Sequence, residues 1–352
     1  MTDFFEIDFL AVESGKSGDA IAIRYSVAGR QTVQVVDGGF TETGRSLVSH
    51  INKYYGPGAA IDYVVLTHPD NDHAIGLQQV LLNFEVRFLI MNRPWAYAEE
   101  LLPRTRYQTA EALAQTLRDK FPYSAELEEI ALTKGIPIYD GLQGLKFGEF
   151  KIVAPTRDRY VELVLEASGV SYASLEAIAS DRAAAREPSE VQAGWGDERF
   201  SGSGTGPRNE MSIVQVATIA GSKIMLTGDA GRDGLAEAVA YAPTVGFGLP
   251  GINIFQVPHH GSRRNVTTEL LNSLLGPILR GPAQSPVFQS YISSAKADEH
   301  HPRKSVIRAM HHRGGSVACT EGTSLRAQRG APKRDGYRSA VLTGYPLTQE
   351  VD

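Results

Sequence analysis

Short apolar runs recur between turn-rich stretches along the whole chain, and each reads as a strand. Phe5 to Val12, Asp19 to Tyr25 and Gln31 to Val36 form a first group. Glu13-Ser14-Gly15-Lys16-Ser17-Gly18 follows the first of these and Asp37-Gly38-Gly39 the third. The next strand begins at Ile61, and its Val64-Val65-Leu66 lacks a polar face, which predicts a strand buried on both sides. Val86 to Met91, Leu145 to Ala154 through Gly148, Ser212 to Ala217, Lys223 to Leu226, Ile252 to Val257, Val287 to Ser293 and a closing strand at Gly315 to Cys319 continue the series. Helical spacing appears at Ser46 to Tyr54, Ile75 to Leu82, Ala96 to Phe121 with a break near Pro103, Arg157 to Asp181, Gly234 to Tyr241 and Lys304 to His312. Ala183 to Arg208 is polar and Gly-rich, and predicts a mobile loop or lid, or else a plain surface insertion. Strands alternating with helices in this way predict a layered α/β protein.

Composition narrows the picture without changing it. The 352 residues suffice for a large core, and 42% hydrophobic with 21% charged residues describes an ordinary globular chain. A net charge of −5 offers no overall attraction to nucleic acid, so a polyanion would have to meet a local basic patch. Cys319 is the single cysteine, which excludes an internal disulfide and fits a reducing compartment. The start Met1-Thr2-Asp3-Phe4-Phe5-Glu6 lacks a signal peptide's basic and apolar parts, and no apolar run approaches the ~20 residues of a membrane span. A cytoplasmic protein with no membrane partner is expected. Nothing in the pattern sets an oligomeric state.

Candidate chemistry sits where strands stop. The run ending at Leu66 passes into Thr67-His68-Pro69-Asp70-Asn71-Asp72-His73, two histidines and two carboxylates on a turn favoured by Pro69 and Asn71. Imidazole nitrogen and carboxylate oxygen together suit zinc, manganese or iron. The strand at Lys223 to Leu226 ends in Thr227-Gly228-Asp229, and the one at Ile252 to Val257 in Pro258-His259-His260-Gly261-Ser262. Adjacent side chains at a strand end point different ways, so one histidine of that pair is expected on metal and the other toward substrate, with His260 the choice for the ligand. Asp37 is either structural or an orienter of the metal loop. His50, His311 and His312 are expected on helix surfaces, and His301 either caps the helix that follows or serves the reaction.

His68-Pro69-Asp70-Asn71-Asp72-His73 resembles the metal-binding loop His-x-His-x-Asp-His of the metallo-β-lactamase superfamily, with an aspartate for the second histidine. That variant is similar to the lactamase-like domain of ComEC-type DNA-uptake proteins. Strand, Gly-rich turn, Asp19-Ala20-Ile21 and Asp37-Gly38-Gly39 also resemble that domain's opening, and His301-Pro302 before a helix and a Gly-x-Val strand its end. The likeness runs from Phe5 to about Gly322, apart from an inserted segment. It implies a four-layer αβ/βα sandwich forming one domain over 1–352, with a helical and Gly-rich insertion at about 157–208.

The resemblance also implies a ligand set. One ion is expected on His68, Asp70 and Asp229, and a second on Asp72, His73, Asp229 and His260, with Asp229 bridging. None of the nine histidines lies between His73 and His259, so Asn209 stands where the superfamily has a further histidine. Up to two divalent ions, zinc or manganese, would generate hydroxide at neutral pH. Asp72 would orient it, and His301 or His259 would protonate the leaving oxygen. A phosphodiester, with nucleic acid as one candidate, is the expected substrate, met by Arg263, Arg264 and Asn209. Arg303, Lys304, Arg308, Arg313, Arg326, Arg329, Lys333, Arg334 and Arg338 add a basic stretch, although without interleaved aromatic residues it equally reads as a solvated face. A hydrolase of small phosphodiesters or esters is the alternative enzyme, and a metal-stabilised binding or regulatory module the alternative of another kind.

Overall fold

The computed structural model describes residues 2–12, 15–171 and 189–351. Its first sheet contains β1 (Phe4–Phe9), β2 (Ala20–Val27), β3 (Arg30–Gly38), β4 (Ile61–Val65), β5 (Val86–Ile90) and β6 (Ile138–Tyr139) side by side, with a late strand, Leu325–Arg329, outside β1. The second contains β7 (Lys146–Phe147), β8 (Phe150–Ala154), β10 (Val214–Ile219), β11 (Ser222–Leu226), β12 (Ile254–Gln256), β13 (Phe288–Ile292) and β14 (Gly315–Cys319). β9 (Ser189–Gln192) pairs apart from both with a terminal strand, Thr348–Val351. Numbered in chain order, the two late strands are β15 and β16. From β3 to β6 and from β11 to β14 neighbouring strands are parallel.

Three apolar layers hold these sheets. Ile7, Phe9, Ile21, Ile23, Val36 and Val65 of the first sheet face Ile152, Ile213, Ile224 and Leu226 of the second, with Phe9 stacked on Tyr291 at 4.7 Å between ring centres. Polar contacts also cross between the sheets, among them the Gln34 amide donating to Gln215 Oε1 at 2.8 Å. The outer face of the first sheet packs on Leu47, Ile51, Leu77, Val80 and Leu81 of its helices. That of the second packs on Leu235, Ala238, Leu271, Val306 and Met310. Helix, sheet, sheet, helix is the expected four-layer αβ/βα sandwich, with helices Thr41–Tyr54 and Leu77–Asn83 on one side and Arg232–Tyr241 and Lys304–His312 on the other. Among the described residues no helix is long and apolar enough to cross a membrane.

Several elements differ from their expected form. Ala96 to Phe121 is short helical pieces, Ala98–Leu101 and Ala110–Lys120 with a 3₁₀ turn at Leu102–Arg104 between them, because Pro103 stops the first and Thr109 caps the last. Pro122 at a helix start then opens Pro122–Thr133, unforeseen in the sequence. Leu145 to Ala154 is a hairpin, turned at Gly148 with φ +53°. The helix begun at Arg157 ends at Ser168, where Gly169 takes the left-handed form; residues 172–181 of the expected helix and 183–188 of the expected loop lie outside the described residues. Gly315 to Cys319 does not close the fold. The chain returns to the first sheet as β15, whose Leu325 and Ala327 alternate into the interior.

Candidate metal centre

The parallel strands all deliver their carboxyl ends to one edge of the sandwich, where α/β sheets present functional loops. β3 brings Asp37, β4 the loop Thr67 to His73, β11 Asp229, β12 the His259-His260 pair, and the loop after β13 Asp298 and His301. β2 starts at the same edge, with Asp19 just before it. Two glycines allow these loops to touch. Gly76 lies against the β3 end, where a Cβ would stand 1.9 Å from Gly38 O, and its N–H donates to Gly39 O at 2.8 Å. Gly228 has φ +50°, and a Cβ there would meet Thr67 at 2.9 Å, so glycine lets Asp229 approach the metal loop.

Asp229 is the centre of what results. Its Oδ2 lies 3.8 Å from His68 Nε2, 3.6 Å from His259 Nε2 and 3.7 Å from His260 Nε2, and its Oδ1 3.4 Å from His73 Nε2. Asp70 Oδ2 is 3.8 Å from His68 Nε2, while Asp72 Oδ2 is 4.0 Å from His73 Nε2 and 3.6 Å from His260 Nε2. All are longer than hydrogen bonds. They are near the roughly 3.3 Å that separates two ligands on one tetrahedral ion with bonds of about 2.0 Å.

The far side of each imidazole is already engaged, and this fixes its lone pair. His73 Nδ1 donates to Asp37 Oδ2 at 2.7 Å and His260 Nδ1 to Ser293 O at 2.8 Å. Thr67 Oγ1 donates to Asp37 Oδ2 at 2.6 Å and therefore accepts from His68 Nδ1 at 3.1 Å. Asn265 spends its amide protons on Asp229 O and Ala230 O, so its oxygen accepts from His259 Nδ1 at 3.0 Å. Every one of these rings thus turns Nε2, the lone-pair nitrogen of its neutral form, toward Asp229. The Nε2 atoms of His68, His73 and His260, with Asp229 Oδ1, are buried and lack any hydrogen-bond partner. Orphaned lone pairs converging on a carboxylate fit a divalent ion. His68, His73 and Asp229, and likewise Asp72, His73 and His260, place ligand atoms within 4.8 Å of one another.

The local field favours a cation. Burial alone would raise the Asp229 carboxyl, yet His259, His260 and His73 hold it well below its usual range. Burial likewise opposes Asp72, but its neighbours His260 and His73 bring it to about 2. Burial also works against charge on His73 and His260; Asp229, with Asp37 for the first and Asp72 for the second, raises both, the latter to about 9. Without an ion, protons take its place on these two imidazoles.

The other expected site residues are arranged around this centre. His259 and His260 do not point apart: the strand has ended at Gln256, both residues take the left-handed form with φ 47° and 53°, and both rings face Asp229. Asn209 lies against the edge of His259, its Nδ2 3.1 Å from Nδ1, and donates to Thr205 Oγ1 at 2.9 Å. His301 stacks on His259 at 5.5 Å, its Nδ1 3.2 Å from Asp298 Oδ2, and is lowered to about 4 by burial and by His259 and His260. Arg263 is buried and Arg264 exposed. Arg208, not singled out from the sequence, sits on Phe121 and reaches Asp70 Oδ1 at 3.3 Å. Thr67, Asn265, Ser293 and Asp298 were missed as well, because nothing local marks a residue whose role is to hold a histidine from another loop.

Part of the basic stretch near the C-terminus is turned inward, whereas Arg329, Lys333 and Arg338 are exposed. Arg334 pairs with Glu6 and Asp8 at 2.8 Å each, and Arg326 pairs with Glu6. Arg313 holds Glu198 at 2.5 Å and Arg308 donates to Pro346 O at 2.6 Å. The same clusters take the histidines expected on helix surfaces. His50 lies 3.1 Å from Asp8, and His312, fully buried, 2.9 Å from Glu198. His311 reaches Thr343 O at 3.0 Å.

A family model described as the metallo-beta-lactamase superfamily matches residues 17–278. No curated protein matches the chain significantly. Among solved structures it is similar to the metallo-beta-lactamase fold protein YhfI from Bacillus subtilis, with 10% identity, a TM-score of 0.39 and coverage of 92% of this chain and 100% of that one. A beta-lactamase domain protein from Burkholderia ambifaria has 13% identity and a TM-score of 0.31, over 68% of this chain and 65% of that one. The hydrolase AbOPH of the beta lactamase superfamily has 12% identity and a TM-score of 0.28; the match covers 60% of this chain and 56% of that one, little more than half its length.

Proposed function

Because the chain belongs to the metallo-β-lactamase superfamily, we propose that its His and Asp cluster holds two divalent ions and hydrolyses a phosphodiester. The observation that carries this reading is the set of imidazoles locked with Nε2 facing one shared carboxylate. His68, Asp70 and His259 with Asp229 would hold one ion, and Asp72, His73 and His260 with Asp229 the other. Such a pair supplies a nucleophile at neutral pH and neutralises charge on a phosphoryl oxygen. Asp70 in place of a histidine makes the first position harder, which favours manganese over zinc there and supports the likeness to the ComEC type.

The remaining residues do work of their own. Asp72 can accept a proton from the attacking group with whichever oxygen is not on the ion. His301 donates through Nδ1 to Asp298, so its Nε2 is an acceptor, and with its pKa at about 4 the ring is neutral at neutral pH. It is therefore suited to take a proton rather than to give one. A compact phosphodiester is favoured over nucleic acid because Arg313, Arg326 and Arg334 of the C-terminal stretch are spent on Glu6, Asp8 and Glu198.

The test is metal analysis followed by assays on bis-nitrophenyl phosphate, DNA, RNA, a β-lactam and a thioester with manganese, zinc or iron. Two equivalents and turnover of the small diester are expected. Bound metal without hydrolysis of any of these substrates would replace the enzyme reading with a metal-stabilised binding module.

A further inference from the structure

Asp19 enters the centre from the segment just before β2. Its backbone N–H donates to Asp72 O at 3.2 Å, and Gly18 before it packs so closely that a Cβ would lie 2.5 Å from the same oxygen. Gly18 and Asp19 are therefore fastened to the metal loop, and Asp19 is 1% exposed. Such a carboxylate needs a partner. Its Oδ1 has no hydrogen-bond partner, and its Oδ2 is 3.9 Å from His73 Nδ1, a nitrogen already bonded to Asp37 at 2.7 Å. Orienting His73 is thus the work of Asp37. What Asp19 does face is the inner side of the site: one of its oxygens lies within 4.8 Å of ligand atoms of both Asp229 and His260. Ligands on opposite sides of one ion stand roughly 4 Å apart, given bonds of about 2.1 Å.

We propose that Asp19 is a further metal ligand, completing the position of Asp72, His73, His260 and Asp229 with a third carboxylate. The inference rests on the two-ion reading above. With Asp19 this position has two nitrogen and three oxygen donors, five in all, so it is harder than a tetrahedral zinc site and takes manganese or iron more readily. Both positions are then oxygen-rich, the first through Asp70 and the second through Asp19.

The experiment compares wild type with Asp19→Asn, which keeps shape and loses charge, and with the smaller Asp19→Ser. Titrations with manganese and with zinc against a chelator give each equivalent's affinity, and Co²⁺ absorption reports coordination number, since bands intensify as five ligands become four. Both variants are expected to bind one equivalent as wild type does and the other roughly 10²-fold more weakly, about a quarter of a four-ligand site's binding free energy. The loss should be larger for manganese than for zinc, and the Co²⁺ bands should intensify. Unchanged affinities and spectra in either variant that retains the wild-type far-UV spectrum would overturn the assignment. A wild-type protein that binds no metal would instead overturn the reading on which it rests.

Discussion

Asp229→Ala is the sharpest perturbation of the centre, because that carboxylate faces all four imidazoles at 3.4 to 3.8 Å. A tight four-ligand zinc site is worth about 12 kcal/mol, so one ligand accounts for about 3 kcal/mol, or roughly 10²-fold in affinity. Removal of a shared ligand applies that loss to both ions. His73→Ala applies it chiefly to the ion on Asp72 and His260. The assay is elemental analysis after gel filtration in weak chelator, paired with melting curves with and without metal. At a free concentration 100 times the dissociation constant, each ion stabilises wild type by about 2.7 kcal/mol, so two ions give a shift of roughly 7 °C for a chain of this size. That two-ion shift should shrink to about 1 °C in Asp229→Ala and roughly halve in His73→Ala. Asp229→Ala protein that retains either equivalent with wild-type affinity would refute the bridging role.

Further outcomes follow from other contacts. Asn265→Leu removes the acceptor that fixes His259, and should weaken one ion about 10- to 100-fold by competition titration while leaving the second unchanged; equal affinities would show that His259 needs no such partner. His301→Ala should lower kcat roughly 10²-fold without loss of metal, by a similar factor for good and poor leaving groups. A loss that shrinks with a good leaving group would make His301 a proton donor instead. Wild-type activity should fall as pH drops through about 4, where His301 gains its proton. Arg334→Met strips a cation from Glu6 and Asp8, both almost fully buried, and should cost about 3 kcal/mol in urea unfolding. A change below about 1 kcal/mol would mean that Arg326 and Arg24, which also pairs with Glu6 at 2.5 Å, suffice.

The sequence made the metal loop legible because a buried strand that stops in alternating ligands has few other uses, and the Asp229 and His259-His260 loops followed from strands ending in the same way. It carried less about orientation. The left-handed turn at His259 and His260 is set by packing, since Gly261 closes on Pro302 and His260 reaches Ser293 across the sheet edge. Polar residues near the C-terminus were the least legible. Arg313 and His312 look solvated in the helical pattern, yet Glu198, some 114 positions earlier for His312, meets both inside the protein. A one-dimensional pattern records that a residue is charged, whereas its partner is fixed only when distant segments meet.

That inward turn of charge bears on what the protein can act upon. A polyanion is gripped by many cations along a surface, each contributing to a steep dependence on salt. Here Arg326 and Arg334 instead tie β15 and the segment after it to β1 and to helix Thr41–Tyr54, where Arg334 also lies over the Tyr54 and Tyr55 rings at 4.5 and 5.5 Å. Arg313 ties helix Lys304–His312 to Thr268, Asn272 and Glu198. These cations brace the elements behind the metal edge, so they cannot serve a long substrate without unfolding what they hold. Closer to the His and Asp cluster, Arg208 is partly neutralised by Asp70 and Arg264 is exposed. Hydrolysis by this centre should therefore depend only weakly on ionic strength, with a slope of log(kcat/KM) against log salt nearer −1 than the several units that a nucleic-acid groove produces. A steep slope measured on DNA would return the nuclease reading, and would require a basic surface outside these C-terminal clusters.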